Sequence, residues 1–156
     1  MSDHGNNLDP VVKTRRVPLP PEAAFSLFTT DMGTWWPLAS HSVSADALAE
    51  VVFAERTGRA ITEHAPDGTT HVWAELLASE APHRVVLAWH PGAAASPASQ
   101  LSVRFEPDGA GCRLRLTQSG WERYGNDAGA ELRRRYHSDW DDVLDRYIEA
   151  AAARSI

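Results

Sequence analysis

The chain is expected to fold as an α+β domain in which a curved antiparallel sheet of about seven strands wraps around a long C-terminal helix, with two short helices after the first strand. Three observations predict this. Short apolar runs of period two recur between residues 51 and 118, separated by turn signals. A single apolar stripe of helical period then runs through Leu132, Tyr136, Trp140, Val143, Leu144, Tyr147 and Ala151. Six tryptophans in 156 residues add large, flat, mostly apolar surface. The helical stripe must bury itself against something, and the inner face of the strands is the only large surface available.

Each element has its own signal. Residues 1–10 are polar and rich in Asp, Asn and Gly, so they read as a mobile tail and the single domain spans 11–156. Residues 11–17 alternate apolar and basic side chains as a first strand. Pro20 and Pro21 pre-set the opening of a helix carrying Ala23, Ala24, Phe25, Leu27 and Phe28. A second helical turn over residues 32–36 is stopped by Pro37, and residues 38–49 are small, polar and irregular. Six strands follow at about 51–56, 59–64, 71–78, 84–90, 100–106 and 112–118. Their turns are Thr57-Gly58, Asp67-Gly68, Ala81-Pro82 and Pro107-Asp108-Gly109. The last helix runs from about Asn126, as a cap, to about residue 153.

Alternation assigns the faces. Leu101, Val103 and Phe105, with Cys112, Leu114 and Leu116, point to the core, and Val85, Leu87 and Trp89 share that face. Arg104 falls on the opposite side. Trp73 shares parity with His71 and Glu75, which places it on the convex side. With Asp67-Gly68 as the central pair of a hairpin, His64 stands directly opposite His71.

Composition narrows the function classes. A net charge of -6 argues against nucleic acid or an anionic membrane surface, which a basic face would have to contact. One cysteine, Cys112, allows no internal disulfide, and the opening MSDHGNNLDP lacks the charged start and apolar run of a signal peptide, so a cytoplasmic location is expected. No run of about eighteen apolar residues offers a transmembrane helix.

Chemistry is thin. Ser119 lies outside any Gly-x-Ser-x-Gly elbow, and Cys112 has no helix start or neighbouring histidine to activate it. The histidine pair at 64 and 71 lacks the further ligands zinc needs, so neither metal nor cofactor is expected. Asp139, Asp141, Asp142, Asp145 and Glu149 mostly avoid the apolar stripe and read as a wet helix face. The residues therefore favour a binding domain over an enzyme. A cavity between sheet and helix would take a small hydrophobic or amphipathic molecule, with Trp36, His41, Glu55, Trp89, Trp121, Tyr136 and Trp140 as its candidate lining. Core packing accounts for the tryptophans equally well at this point. His90 and Gln118 are further polar groups that could turn into such a space.

A set of short motifs carries a family likeness: Ala24-Phe25 and Phe28-Thr29, Trp35-Trp36-Pro37 with His41-Ser42, Asp67-Gly68, the run from Pro82 through His83, Arg84, Val85, Val86, Leu87 and Ala88 to Trp89, Ser119-Gly120-Trp121, and Tyr136 through Trp140 to Leu144. Over about residues 11–150 the chain resembles the activator-of-heat-shock-ATPase homologues of the START-like (SRPBCC, birch-pollen-allergen-like) superfamily. That resemblance implies the helix-grip fold. It also implies a choice of functions, because such proteins bind small hydrophobic molecules, act as co-chaperones on a heat-shock ATPase, or work as cyclases or hydrolases in the same cavity. The implied partners are a small hydrophobic molecule and, in the second case, a chaperone, with the protein a monomer or homodimer. Three positions depart from the pattern: Asp139 where Gly is expected, Gln118 where His is common, and Cys112 where Thr is common.

Overall fold

A computed structural model describes residues 7–155. β1 (Val11–Val17) leads into α1 (Pro21–Phe28), which has proline at its opening and buries Ala24, Phe25, Leu27 and Phe28. A 3-10 turn at Met32–Thr34 follows. Residues 35–49 form an irregular strap. Then come β2 (Glu50–Val52), β3 (Ala60–His64), β4 (Thr70–Glu80), β5 (Arg84–Trp89), β6 (Ser99–Asp108) and β7 (Gly111–Ser119), a 3-10 turn at Trp121–Tyr124, and the 29-residue α2 (Asn126–Arg154). Strand order is β1-β7-β6-β5-β4-β3-β2 with every pair antiparallel, so the first strand closes on the last. The curled sheet grips α2, as the patterning predicts. No helix among the described residues is long and apolar enough to cross a membrane.

The gripping surface follows from alternation. Leu101, Val103, Phe105, Leu114 and Leu116 are fully or almost fully buried on the concave side, while Gln100, Arg104, Glu106, Arg113 and Arg115 face out. Burying five such chains supplies on the order of 10 kcal/mol of transfer free energy against backbone ordering. Of the tail expected over 1–10, residues 1–6 lie outside the described residues. Leu8 packs against the core, and Arg133 donates to the carbonyls of Asp9 and Pro10.

Two local irregularities overturn face assignments made from strict period two. Between Ile61↔Ala74 and Thr62↔Val72 the register skips a residue, a β-bulge at Trp73. The extra residue lets Trp73 and Ala74 both point inward, so Trp73 is 1% exposed on the concave side rather than standing on the convex one. The second is at the hairpin tip. The Ala65 N–H donates to the Thr69 carbonyl, and Gly68 takes a left-handed φ of 91°, making a wider loop than the two-residue turn expected. His64 therefore faces Thr70, and His71 faces Glu63.

α2 is held at several points along its length. At its start Gly129 lies so close to the Trp121 turn that a Cβ there would collide with the Trp121 carbonyl oxygen. Midway, the Trp140 indole N–H donates to the side-chain oxygen of the fully buried Gln118 (2.7 Å), whose amide donates to the Ser99 hydroxyl (2.8 Å). Beside it Asp141 receives Lys13 (3.1 Å) and Arg15 (2.8 Å) from β1, and farther on the Tyr147 hydroxyl donates to the Ala24 carbonyl (2.7 Å). Asp141 is thus a tie between helix and sheet where the sequence reads a wet carboxylate. Burial raises its pKa, but the bonds from Lys13 and Arg15 outweigh that and hold it below the ordinary range.

The strap is fastened by Glu63. This inward β3 carboxylate is 0% exposed, and it accepts from the Val43 N–H (2.9 Å), the Ser44 N–H (3.0 Å), the Ser44 hydroxyl and the Trp73 indole (2.9 Å). Burial alone would push its pKa up. The four donors reverse the sign and leave it below 4.5.

Two outcomes are expected. Gln118→Leu strands the buried Trp140 N–H and should cost about 1–3 kcal/mol in urea unfolding. For Glu63 the folded pKa lies below the unfolded one, so its contribution is complete above pH 4.5 and fades as pH falls toward the folded value. Glu63→Gln should accordingly lower stability at pH 7, with the gap to wild type shrinking steadily as urea unfolding is repeated below pH 4.5. A gap that is constant with pH would refute the clamp.

Candidate functional site

Strap, sheet and α2 do not close on one another completely. Between them lies an open-mouthed cavity of about 500 Å³. Trp36 and the segment Ser40, His41, Ser42, Val43 come from the strap, Trp73 from β4 and Trp89 from β5, and Pro91 and Gly92 from the loop that leaves β5. The helix contributes Leu132, Arg135, Tyr136, Asp139, Trp140 and Val143. Spacing explains that face: Leu132, Tyr136 and Trp140 are successive i, i+4 positions, with Asp139 and Val143 beside them.

The wall is an aromatic cluster. The Trp36 ring centroid lies 5.0 Å from that of Trp73, 6.1 Å from Trp89 and 6.0 Å from Trp140, and Trp89 and Trp140 are 5.6 Å apart. Tyr136 stacks on Trp140 at 6.3 Å. Tilted and edge-on contacts of this kind add favourable quadrupole terms to the burial of the rings. The indole N–H groups are mostly spoken for outside the cluster: Trp36 donates to the His41 carbonyl, Trp73 to Glu63, and Trp140 to Gln118.

Charge collects at the mouth. His41 Nε2 stands 3.6 Å from Asp142 and 3.8 Å from Asp139, and its Nδ1 lies 2.7 Å from the Ser40 hydroxyl. Asp139, where the family resemblance leads one to expect glycine, places a carboxylate in the wall. Arg135 adds a cation to the same rim. The hydrogen-bonding groups of the aromatic wall are neutral. Burial raises the pKa of the Tyr136 hydroxyl far above that of a free phenol, so it stays protonated. The chemistry on offer is an apolar box with flat walls, neutral hydrogen-bonding groups deep inside, and an imidazole between two carboxylates at the entrance.

Five of the seven candidate lining residues meet here: Trp36, His41, Trp89, Tyr136 and Trp140. Glu55 does not. It sits on the link between β2 and β3 with its side chain 82% exposed beside Arg56, because β2 ends at Val52 and the chain has left the sheet before reaching it. Trp121 lies one layer behind, buried and packed on Tyr136 at 5.8 Å. His90 points to the convex side, where Nε2 meets Glu75 at 2.7 Å and Nδ1 the Ala93 carbonyl at 3.2 Å. Gln118 is buried beneath Trp140 as its anchor, not in the wall. Sequence reasoning missed Trp73 and Glu63, both hidden by the bulge and by a carboxylate at an inward strand position. Among the described residues no cluster of three or more His, Cys, Asp or Glu is arranged to hold a metal.

The family model described as "Activator of Hsp90 ATPase homolog 1-like protein" matches residues 18–151. No curated protein sequence matches the chain. Among solved structures, protein MLL2253 from Mesorhizobium loti superposes with a TM-score of 0.67 at 19% identity, covering 94% of this chain and 98% of that one. The Aha1 dimer from Colwellia psychrerythraea gives 0.65 at 15% identity, over 91% and 95% of the two chains. DynU16, a protein of the dynemicin biosynthetic locus, gives 0.63 at 18% identity over 90% of this chain and 46% of its own. At such identities the structures speak for the shared helix-grip fold alone. The family match covers most of the domain, strap and last helix included, and so the chain belongs to the Activator of Hsp90 ATPase homolog 1-like family.

Proposed function

We propose that this protein binds a small hydrophobic or amphipathic molecule in the cavity between the sheet and α2. One observation carries the reading: about 500 Å³ of space is walled by four tryptophans and a tyrosine, with charged groups confined to its entrance. A volume of that size suits a ligand of two to four fused or linked rings. Trp36, His41, Trp89, Tyr136 and Trp140 would touch the guest, the rings through their faces and His41 through a polar group left at the mouth. The same reading keeps the protein in the cytoplasm, as a monomer or homodimer, without a cofactor.

A second reading has its own support, on the opposite side of the sheet. Arg84, Arg104 and Arg115 stand directly opposite one another across β5, β6 and β7, with Arg16 and Arg113 paired in the next row. Arg84 is neutralised by Glu80, and Arg16 and Arg113 approach Asp108, but Arg104 and Arg115 form no ion pair among the described residues. Aligned like charges work against the fold. In a chain of net charge -6 they make a locally basic face, suited to an acidic protein surface such as a chaperone domain could present.

Each reading has a measurement. Tryptophan emission should change saturably when apolar or amphipathic compounds are added, and Val143→Phe, which fills the cavity from the helix side, should weaken binding at least about tenfold, equivalent to ~1.4 kcal/mol. A flat response across every ligand class would refute the first reading. For the second, the protein should stimulate the ATPase of its chaperone in a mixing assay, and Arg104→Glu with Arg115→Glu should abolish the stimulation. No stimulation by wild type would remove that reading, and Arg104→Glu alone should raise the melting temperature by relieving the row.

A further inference from the structure

The hydrogen-bonding groups of the aromatic cluster are unevenly satisfied. Trp35, Trp36, Trp73 and Trp140 each donate to a named acceptor at 2.7–2.9 Å. Two buried indole N–H groups have no partner among the described residues, Trp89 and Trp121. The Trp121 ring packs on Tyr136 from behind, whereas Trp89 and Tyr136 line the same cavity. The Tyr136 hydroxyl itself donates to nothing among the described residues. Of these groups the Trp89 indole and the Tyr136 hydroxyl belong to residues of the cavity wall, and Trp121 lies behind it. Leaving a buried donor unpaired costs about 1–3 kcal/mol, so unpaired donors in the wall call for an acceptor.

We propose that the cavity wall formed by Trp89 and Tyr136 is a subsite for an acceptor oxygen, a carbonyl conjugated to a flat aromatic body, which accepts from the Tyr136 hydroxyl and the Trp89 indole. The proposal deepens the binding reading above and rests on it. Three features choose the chemistry. The groups there donate, so the guest accepts. They are neutral, with the charged residues at the mouth, so a carbonyl fits better than a carboxylate, which would be desolvated without a cation. The flanking surfaces of Trp89, Trp140 and Tyr136 are planar, so the atoms carrying the oxygen are planar too.

A matched pair of probes tests this: 2-acetylnaphthalene and the hydrocarbon 2-isopropenylnaphthalene, alike in shape and heavy-atom number and differing in C=O against C=CH2. Equilibrium dialysis should show the ketone binding wild type about tenfold more tightly, the value of one good hydrogen bond. Tyr136→Phe, which removes only the hydroxyl, should erase that preference, bringing the affinities of the ketone and the hydrocarbon together. The ketone should also move the Trp89 indole resonance downfield in a nitrogen-15 spectrum, assigned with Trp89→Phe. Equal affinities of the two probes for wild type, or a ketone preference that survives Tyr136→Phe, would overturn the subsite while leaving the cavity reading intact. Failure of both probes to bind would overturn the two together.

Discussion

A single carboxylate with no exposed surface governs this structure. Glu63 sits at an inward position of β3, where alternation calls for an apolar side chain, and it is tolerated there because four donors converge on it. Two are backbone N–H groups of the strap, one is the Ser44 hydroxyl, and one is the Trp73 indole. The carboxylate thereby joins a loop with no regular structure to the sheet and orients the central ring of the aromatic wall. A charge buried with fewer donors would be unfavourable by several kcal/mol, so strap, ring and carboxylate are mutually dependent. The strap that Glu63 anchors contributes Ser40, His41, Ser42 and Val43 to the cavity. Without the anchor there is no fixed front wall.

Legibility varied by element for physical reasons. The fold was readable because β6, β7 and α2 obey their periods cleanly: Leu101, Val103 and Phe105 on one side of a strand, and a stripe from Leu132 to Ala151 on one side of a helix, allow one arrangement that buries both. The cavity lining from α2 was readable on the same basis. What failed were the positions where one inserted residue reverses parity. Nothing in the composition of residues 72–74 marks the bulge that turns Trp73 inward, since a bulge is fixed by pairing with β3. The hairpin tip failed likewise, because Asp67-Gly68 suits either a two-residue turn or a longer loop, and only the closing bond from Ala65 to Thr69 decides. Glu55 was drawn into the site by assuming a β2 that runs past Val52. The strand stops earlier, and the next residues are free to face water.

The departures from the family pattern acquire meaning in three dimensions. Gln118 presents an acceptor to Trp140 and a donor to Ser99, two opposite roles that a single amide fills without any charge. A neutral histidine could also offer one donor and one acceptor, but it would bring a titratable group beneath the central helix tryptophan. Asp139 replaces an expected absence of side chain with a carboxylate beside His41. That exchange makes the entrance polar while leaving the box behind it apolar, and amphipathic guests gain from such a gradient more than purely hydrocarbon ones do.

The persistence of an opening among so many large side chains also needs a cause, since rings free to rotate would fill it. Their anchors supply one. Trp36 is tied to the strap backbone, Trp73 to Glu63 and Trp140 to Gln118, each through the indole nitrogen at its outer edge. A ring fixed by its N–H and pressed on its neighbours at 5–6 Å cannot swing inward without breaking a buried hydrogen bond, at a cost comparable to what closing the gap would gain. Trp89 and Tyr136 are the cavity-lining rings held by packing alone. The wall is therefore fixed at three rings and adjustable at two, and one of the adjustable rings carries the unpaired Trp89 N–H.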